Sequence, residues 1–120
     1  MATKFRLKRI YEPAEKDDGF RALVDRLWPR GVAKAKAKID VWLKAIAPSD
    51  DLRHRLHGDP EKWKTFVAEY GEELKQPEAE EAAALLRKQL RKGPVTLLYA
   101  ARDEEHNNAV ALKYWLERRG

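Results

Sequence analysis

Two stretches of the chain hold the side chains best suited to binding or moving charge. They are Asp25-Arg26-Leu27-Trp28-Pro29-Arg30-Gly31 and Ala100-Ala101-Arg102-Asp103-Glu104-Glu105-His106-Asn107-Asn108. In the first, the stretch Phe20 to Val24, which can form a buried strand, ends in a carboxylate and a guanidinium, followed by an aromatic and a rigid turn. Arg30 lies between proline and glycine, a setting that suits its planar fork to two-point recognition of a carboxylate or phosphate. Asp25 and Arg26 either pair with neighbouring charges or face a ligand. A carboxylate set so close behind an apolar strand must find hydrogen-bond donors if it is buried. Trp28 reads first as a packing residue and second as a wall or stacking surface for a ligand.

The second stretch is a strand-to-helix turn, which aims backbone N–H groups and the positive end of a helix dipole at whatever binds beyond the strand. Asp103 reads as a helix N-cap before it reads as a catalytic acid. His106, beside Glu104 and Glu105, reads as a solvent-facing first-turn residue. It is also the histidine near a strand end whose charge changes close to neutral pH, as general acid–base work needs. If the two strands lie parallel and adjacent, Asp25, Arg26, Trp28 and Arg30 face Arg102, His106 and Asn107 across one crevice. Asp25 and His106 are then the candidate catalytic pair, and Asp25, Arg26, Trp28, Arg30, Arg102 and Asn107 the candidate ligand contacts. His54 and His57 stand three apart without an identifiable third ligand, so no metal site is expected. No P-loop is present and no cofactor is expected. Cysteine is absent, which excludes disulfides and thiolate nucleophiles and leaves activated water or a carboxylate for any chemistry; whether the protein is an enzyme stays open at this point.

The elements that would position these residues follow from periodicity. Lys4 to Ile10 alternates Phe5 and Leu7 with bases, as a half-buried strand does, and Tyr11-Glu12-Pro13 ends it. The connection from Ala14 to Gly19 is too short for a helical crossover, so the strand Phe20 to Leu27 either pairs antiparallel with the first or lies elsewhere in the sheet. Val32 to Lys38 makes one helical turn, and Ile39 to Ala45 a short strand or further helix. Ser49 caps a helix that opens with Asp50 and Asp51 and ends near Gly58. Asp59-Pro60 starts another, with Trp63, Phe66, Val67, Tyr70 and Leu74 on one face. Pro77 interrupts it, and Ala82, Leu85, Leu86 and Leu90 carry the pattern to Gly93-Pro94. Val95 to Ala100 is continuously apolar, as a strand covered on both faces is. The last helix runs from about Glu104 to Arg119. This order predicts a small three-layer α/β sandwich, with a mixed, partly parallel sheet of three to four strands flanked by helices.

At 120 residues the chain is expected to be one domain, residues 1–120. Charged residues make up 38%, and Lys and Arg outnumber acids 25 to 20, for a formal charge of +5. That balance favours anionic partners, although acids interspersed with the bases put much of it on ordinary helix faces. No signal peptide or membrane-spanning run is evident, so a cytoplasmic protein without membrane contact is expected. Three functions compete: a crevice for a small anionic ligand such as a nucleotide or phosphorylated metabolite; a nucleic-acid-binding or regulatory module using Arg6, Lys8, Arg9, Lys34, Lys36 and Lys38; and a protein-interaction domain, such as a homodimer, that buries part of the Trp63 to Leu74 helix.

Asp25-Arg26-Leu27-Trp28-Pro29-Arg30-Gly31, Trp42, Ala47-Pro48-Ser49, and Thr96-Leu97-Leu98-Tyr99-Ala100-Ala101-Arg102-Asp103 with His106-Asn107 together resemble the YeaO-like proteins of domain of unknown function family 488. The resemblance spans essentially the whole chain and supplies no established reaction. It implies a cysteine in longer relatives where this chain has Tyr99, and a Cys-His-Arg cluster where it has Asn107-Asn108-Ala109. Thiol chemistry or metal binding in those relatives therefore does not transfer here, and any shared function rests on Asp25-Arg26 and Pro29-Arg30.

Overall fold

Val95 to Tyr99 is buried at every residue, because this strand is hydrogen-bonded on both sides and covered on both faces. The computed structural model describes residues 4–56 and 60–119. Within them four strands, β1 (Arg6–Arg9), β2 (Phe20–Leu23), β3 (Val41–Trp42) and β4 (Val95–Tyr99), form one sheet in the order β1-β4-β2-β3. Each of the three pairings is parallel, so the sheet expected to be mixed is parallel throughout the described residues.

The short connection from β1 to β2 accounts for the difference. It returns to the start of the sheet without a helix, making only a 3₁₀ turn at Lys16–Asp18, and leaves room for β4 between the two strands. Side chains hold it down in place of a helical layer. Lys8 Nζ pairs with Asp18 at 2.8 Å and Glu15 at 2.7 Å. Thr96 Oγ1 donates to the Asp18 carbonyl at 2.7 Å, and Arg6 donates to that of Asp17. Gly19, at φ +67°, turns the chain into β2 against the Pro94 carbonyl.

Side-chain alternation sends Ala22, Val24, Val95, Leu97 and Tyr99 to one face of the sheet. There they meet α2 (Asp50–Leu56), α3 (Trp63–Glu73), α4 (Pro77–Lys92) and α5 (Asn108–Arg119). On α4, Ala79, Ala82, Ala83, Leu86 and Leu90 are buried, with Pro77 suited to the first helical position; Leu85, expected on the core side, is 36% exposed. The aromatic face of α3 closes into this core, with Phe66, Tyr70 and Leu74 buried, and Ser49 caps α2 through the Leu52 N–H as expected.

The opposite face is thin. Ile10, Leu23, Ala37 and Leu98 form a second cluster under Trp28, Val32, Ile39 and Trp42, and α1 (Lys34–Ala37) is its one-turn helix. The third layer of the sandwich is therefore mostly loop. Buried Arg21 ties it to the sheet, pairing with Asp18 at 2.5 Å and donating to the carbonyls of Ala37 at 3.0 Å and Lys38 at 2.9 Å. The expected helix end at Gly58 and start at Asp59, with His57, lie outside the described residues. Among the described residues no helix is long and apolar enough to cross a membrane.

Candidate functional site

Because β2 and β4 are adjacent and parallel, the chain leaves both at the same sheet edge. After β2 it passes over the thin face through Trp28 and Val32; after β4 it enters α5 on the helical face. The divergence opens a crevice of ≈ 850 Å³ beyond the carboxyl ends of the strands, where open α/β sheets bind ligands. Asp25, Arg26, Trp28 and Arg30 line one lip, and Arg102, His106 and Asn107 the other.

Asp25 forms the floor. Its Oδ2 accepts from the Ala100 N–H at 2.9 Å and its Oδ1 from Asn108 Nδ2 at 3.0 Å, while Asn108 also donates to the Val24 carbonyl at 3.0 Å. This carboxylate thus joins the end of β2 to the end of β4 and the first residue of α5. Burial raises its pKa above the ordinary carboxylate value, against the opposing pull of Asn108, the Ala100 N–H and the Arg53 charge.

The four arginines around the crevice are not equivalent. Arg26 is half-buried and donates to the carbonyls of Pro48 at 3.1 Å and Ala47 at 3.4 Å, so it fixes the loop before α2. Arg53, on α2, has an exposed ion pair with Asp50 at 3.2 Å. The guanidinium groups of Arg30 and Arg102, both exposed, make no hydrogen bond or ion pair among the described residues. Gly31, at φ +79°, permits the turn that presents Arg30.

Trp28 is a packing residue in the first place. Its indole donates to the Val32 carbonyl at 2.7 Å, and its ring meets Trp42 edge-on at 5.3 Å. Asn107, placed among the candidate ligand contacts, is buried and engaged as the N-cap of α5. Its Oδ1 accepts from the Val110 N–H at 3.0 Å, and its Nδ2 donates to the Asp103 carbonyl at 2.9 Å. Asp103 therefore does not cap the helix, which begins at Asn108 rather than near Glu104. Asp103 closes a turn instead, accepting from the N–H groups of Glu105 and His106, which hold its carboxyl below the ordinary value.

His106 is less exposed than its acidic neighbours suggested. Its Nδ1 lies 3.1 Å from Asp103 Oδ2, and its ring stands edge-on to Trp63 at 5.3 Å. No hydrogen bond joins it to Asp25 among the described residues.

Four contributors were not among the crevice residues expected from sequence, and one of them, Arg9, was read only as part of a basic surface. Asn108 and Arg53 sit on helices, where a polar residue ordinarily means a solvated face. Arg9 and Tyr11 form a strap between the lips: Arg9 donates to the carbonyls of Ala100 at 3.1 Å and Ala101 at 2.9 Å and stacks over Tyr11 at 5.0 Å, and Tyr11 Oη donates to the Arg30 carbonyl at 2.9 Å. An arginine at a strand end followed by an aromatic was the available signal.

A family model described as the inactive DUF488-N3 subclade matches residues 4–119. The uncharacterised protein YeaO of Escherichia coli K12 is 46% identical over 111 residues, covering 91% of this chain and 93% of its own. The uncharacterised proteins Mb3100c of Mycobacterium bovis and Rv3073c of Mycobacterium tuberculosis are each 38% identical over 117 residues, covering 98% of this chain and 97% of theirs. The chain belongs to the DUF488 family. No solved structure matches it. In this DUF488 chain the positions where the resemblance implies a thiol and a Cys-His-Arg cluster in longer members serve packing and capping: Tyr99 and Ala109 are buried, Asn107 caps α5 and Asn108 anchors Asp25.

Proposed function

We propose that this DUF488 chain is a single cytoplasmic domain that binds a small anionic ligand, such as a nucleotide or phosphorylated metabolite, between the Asp25–Gly31 and Ala101–Asn108 segments. The observation that carries the reading is the contrast among arginines. Arg26 is engaged with carbonyls, whereas Arg30 and Arg102, one on each lip, keep their guanidinium donors unengaged among the described residues. Binding rather than turnover is favoured because Asp25 and His106 each have structural partners and are not bonded to one another. The description of the matching subclade as inactive agrees with this.

The competing readings have less support. Arg6, Lys8 and Arg9, half of the basic surface offered to nucleic acid, are engaged with Asp17, Asp18, Glu15 and the Ala100-Ala101 carbonyls. The aromatic face of α3, offered to a second copy, is buried in the core of this chain. Calorimetric titration with inorganic phosphate and adenosine monophosphate tests the proposal. Replacing Arg30 or Arg102 by alanine is expected to weaken binding by about tenfold or more, the order of one charge-assisted hydrogen bond. Unchanged affinity in both variants would refute it.

A further inference from the structure

Among the described residues the large apolar side chains left exposed are Tyr11, Leu27, Leu85 and Tyr114. Two of them, Tyr11 at 47% and Leu27 at 59% exposure, line the mouth of the crevice that holds Arg30 and Arg102. Solvated apolar side chains are ordinary when scattered singly; two at one cationic crevice mark a surface suited to an apolar body attached to an anion.

Tyr11 is fixed as well as exposed. Arg9 lies over one side of its ring at 5.0 Å, and its hydroxyl is bonded to the Arg30 carbonyl at 2.9 Å. A ring whose tilt is set at two points, with the guanidinium on one side and open surface remaining, is a preorganised plate for stacking. The same hydroxyl bond places the plate beside the backbone that carries Arg30. Leu27, three residues before Arg30, extends the apolar surface along the same lip. Phe66, from α3, adds a buried aromatic to the lining.

We propose that the anion bound by Arg30 and Arg102 is carried on a planar ring that stacks on Tyr11, so that the ligand class is a ring-bearing phosphate rather than a bare or aliphatic one. This rests on the anion-binding reading of the crevice and narrows it.

The test is a ratio of affinities measured by calorimetry on the full chain with phenyl phosphate, adenosine monophosphate, glycerol 3-phosphate and inorganic phosphate. At least one of the two ring-bearing probes is expected to bind about tenfold or more tightly than the ringless ones, the scale of stacking on an aromatic side chain. Tyr11→Leu, which keeps an apolar residue but removes the plane, is expected to bring the ratio close to one. Tyr11→Phe is expected to keep the ratio even where loss of the hydroxyl weakens every probe alike. A wild-type ratio near one overturns the ring while leaving the anion site standing, and a ratio that survives Tyr11→Leu overturns the assignment to Tyr11. Absence of binding by all four probes removes the anion site and the ring together. Preference for adenosine monophosphate over phenyl phosphate identifies a nucleotide as the source of the ring, and the reverse order a simple aryl ester.

Discussion

Replacing Asp25 by asparagine separates the two forces acting on the crevice floor. The wild-type carboxylate accepts from both Ala100 N–H and Asn108 Nδ2, whereas asparagine has one acceptor oxygen in nearly the same volume. Its amide must face one of those donors. Reversing the Asn108 amide to accommodate it would break the bond from Asn108 to the Val24 carbonyl, so one partly buried polar group loses its partner in either arrangement. That loss is worth about 1–3 kcal/mol. Against it stands the burial that raises the Asp25 pKa, which penalises the ionised wild type and leaves the variant untouched. A raised folded-state pKa contributes stability that is complete below the unfolded value, near 3.8, and is lost as pH rises through the folded value. The stability gap between wild type and Asp25→Asn, from urea melts at a series of pH values between about 3 and 7, is therefore expected to be widest in acid and to narrow as pH rises. A gap that widens with pH would refute this, because it would mean that Asn108, the Ala100 N–H and the Arg53 charge outweigh burial and hold Asp25 below its ordinary value.

Asp18→Asn is expected to behave in the opposite sense. Burial alone would raise the Asp18 pKa, but Lys8, the Glu15 N–H and Arg21 together hold it below the ordinary value. Its stability contribution is present above the unfolded value and lost in acid, so the gap from wild type should grow with pH to about 3–5 kcal/mol, the scale of a broken buried pair; a gap independent of pH would contradict this. Gly71→Ala places a Cβ 2.6 Å from Trp115 Cζ2 where α3 crosses α5, and a net loss of about 1–2 kcal/mol is expected after the gain in helix propensity. An unchanged urea midpoint would contradict that. Arg9→Lys cannot donate to both the Ala100 and Ala101 carbonyls in the same geometry. Faster amide exchange is expected at Gly31 and Val32 across the crevice as well as at Ala100 to Arg102, and a change confined to the nearer lip would mean that no strap couples the two.

The parts of the fold that were legible are those in which one physical signal dominates. The run Val95 to Tyr99, apolar but for Thr96, announced a central strand, and spacings of three and four placed the buried face of α3. The parallel return from β1 to β2 was not legible, because it depends on Lys8, Arg6 and Thr96 pinning a loop at long range rather than on a helix. At the site, the grouping of the two loops was conditional on their strands being parallel neighbours, which the sequence left open and the pairing of β2 with β4 supplies. The division of labour did not. Asp103 and Asn107 are both plausible caps four residues apart, and burial of the Asn107 side chain, which sequence does not display, decides between them. Arg26 and Arg30 likewise flank one turn, and only the position of the Ala47 and Pro48 carbonyls shows which is engaged.

A shared anion site requires that Arg30 and Arg102 engage one ligand together. Titrating the isotopically labelled protein with inorganic phosphate while following the arginine Nε–H resonances measures it. The Arg30 and Arg102 signals are expected to move together along one saturating curve, with Arg91 on the outer surface of α4 unmoved. Shifts no larger than those of Arg91, or separate curves for the two residues, would contradict a shared anion site.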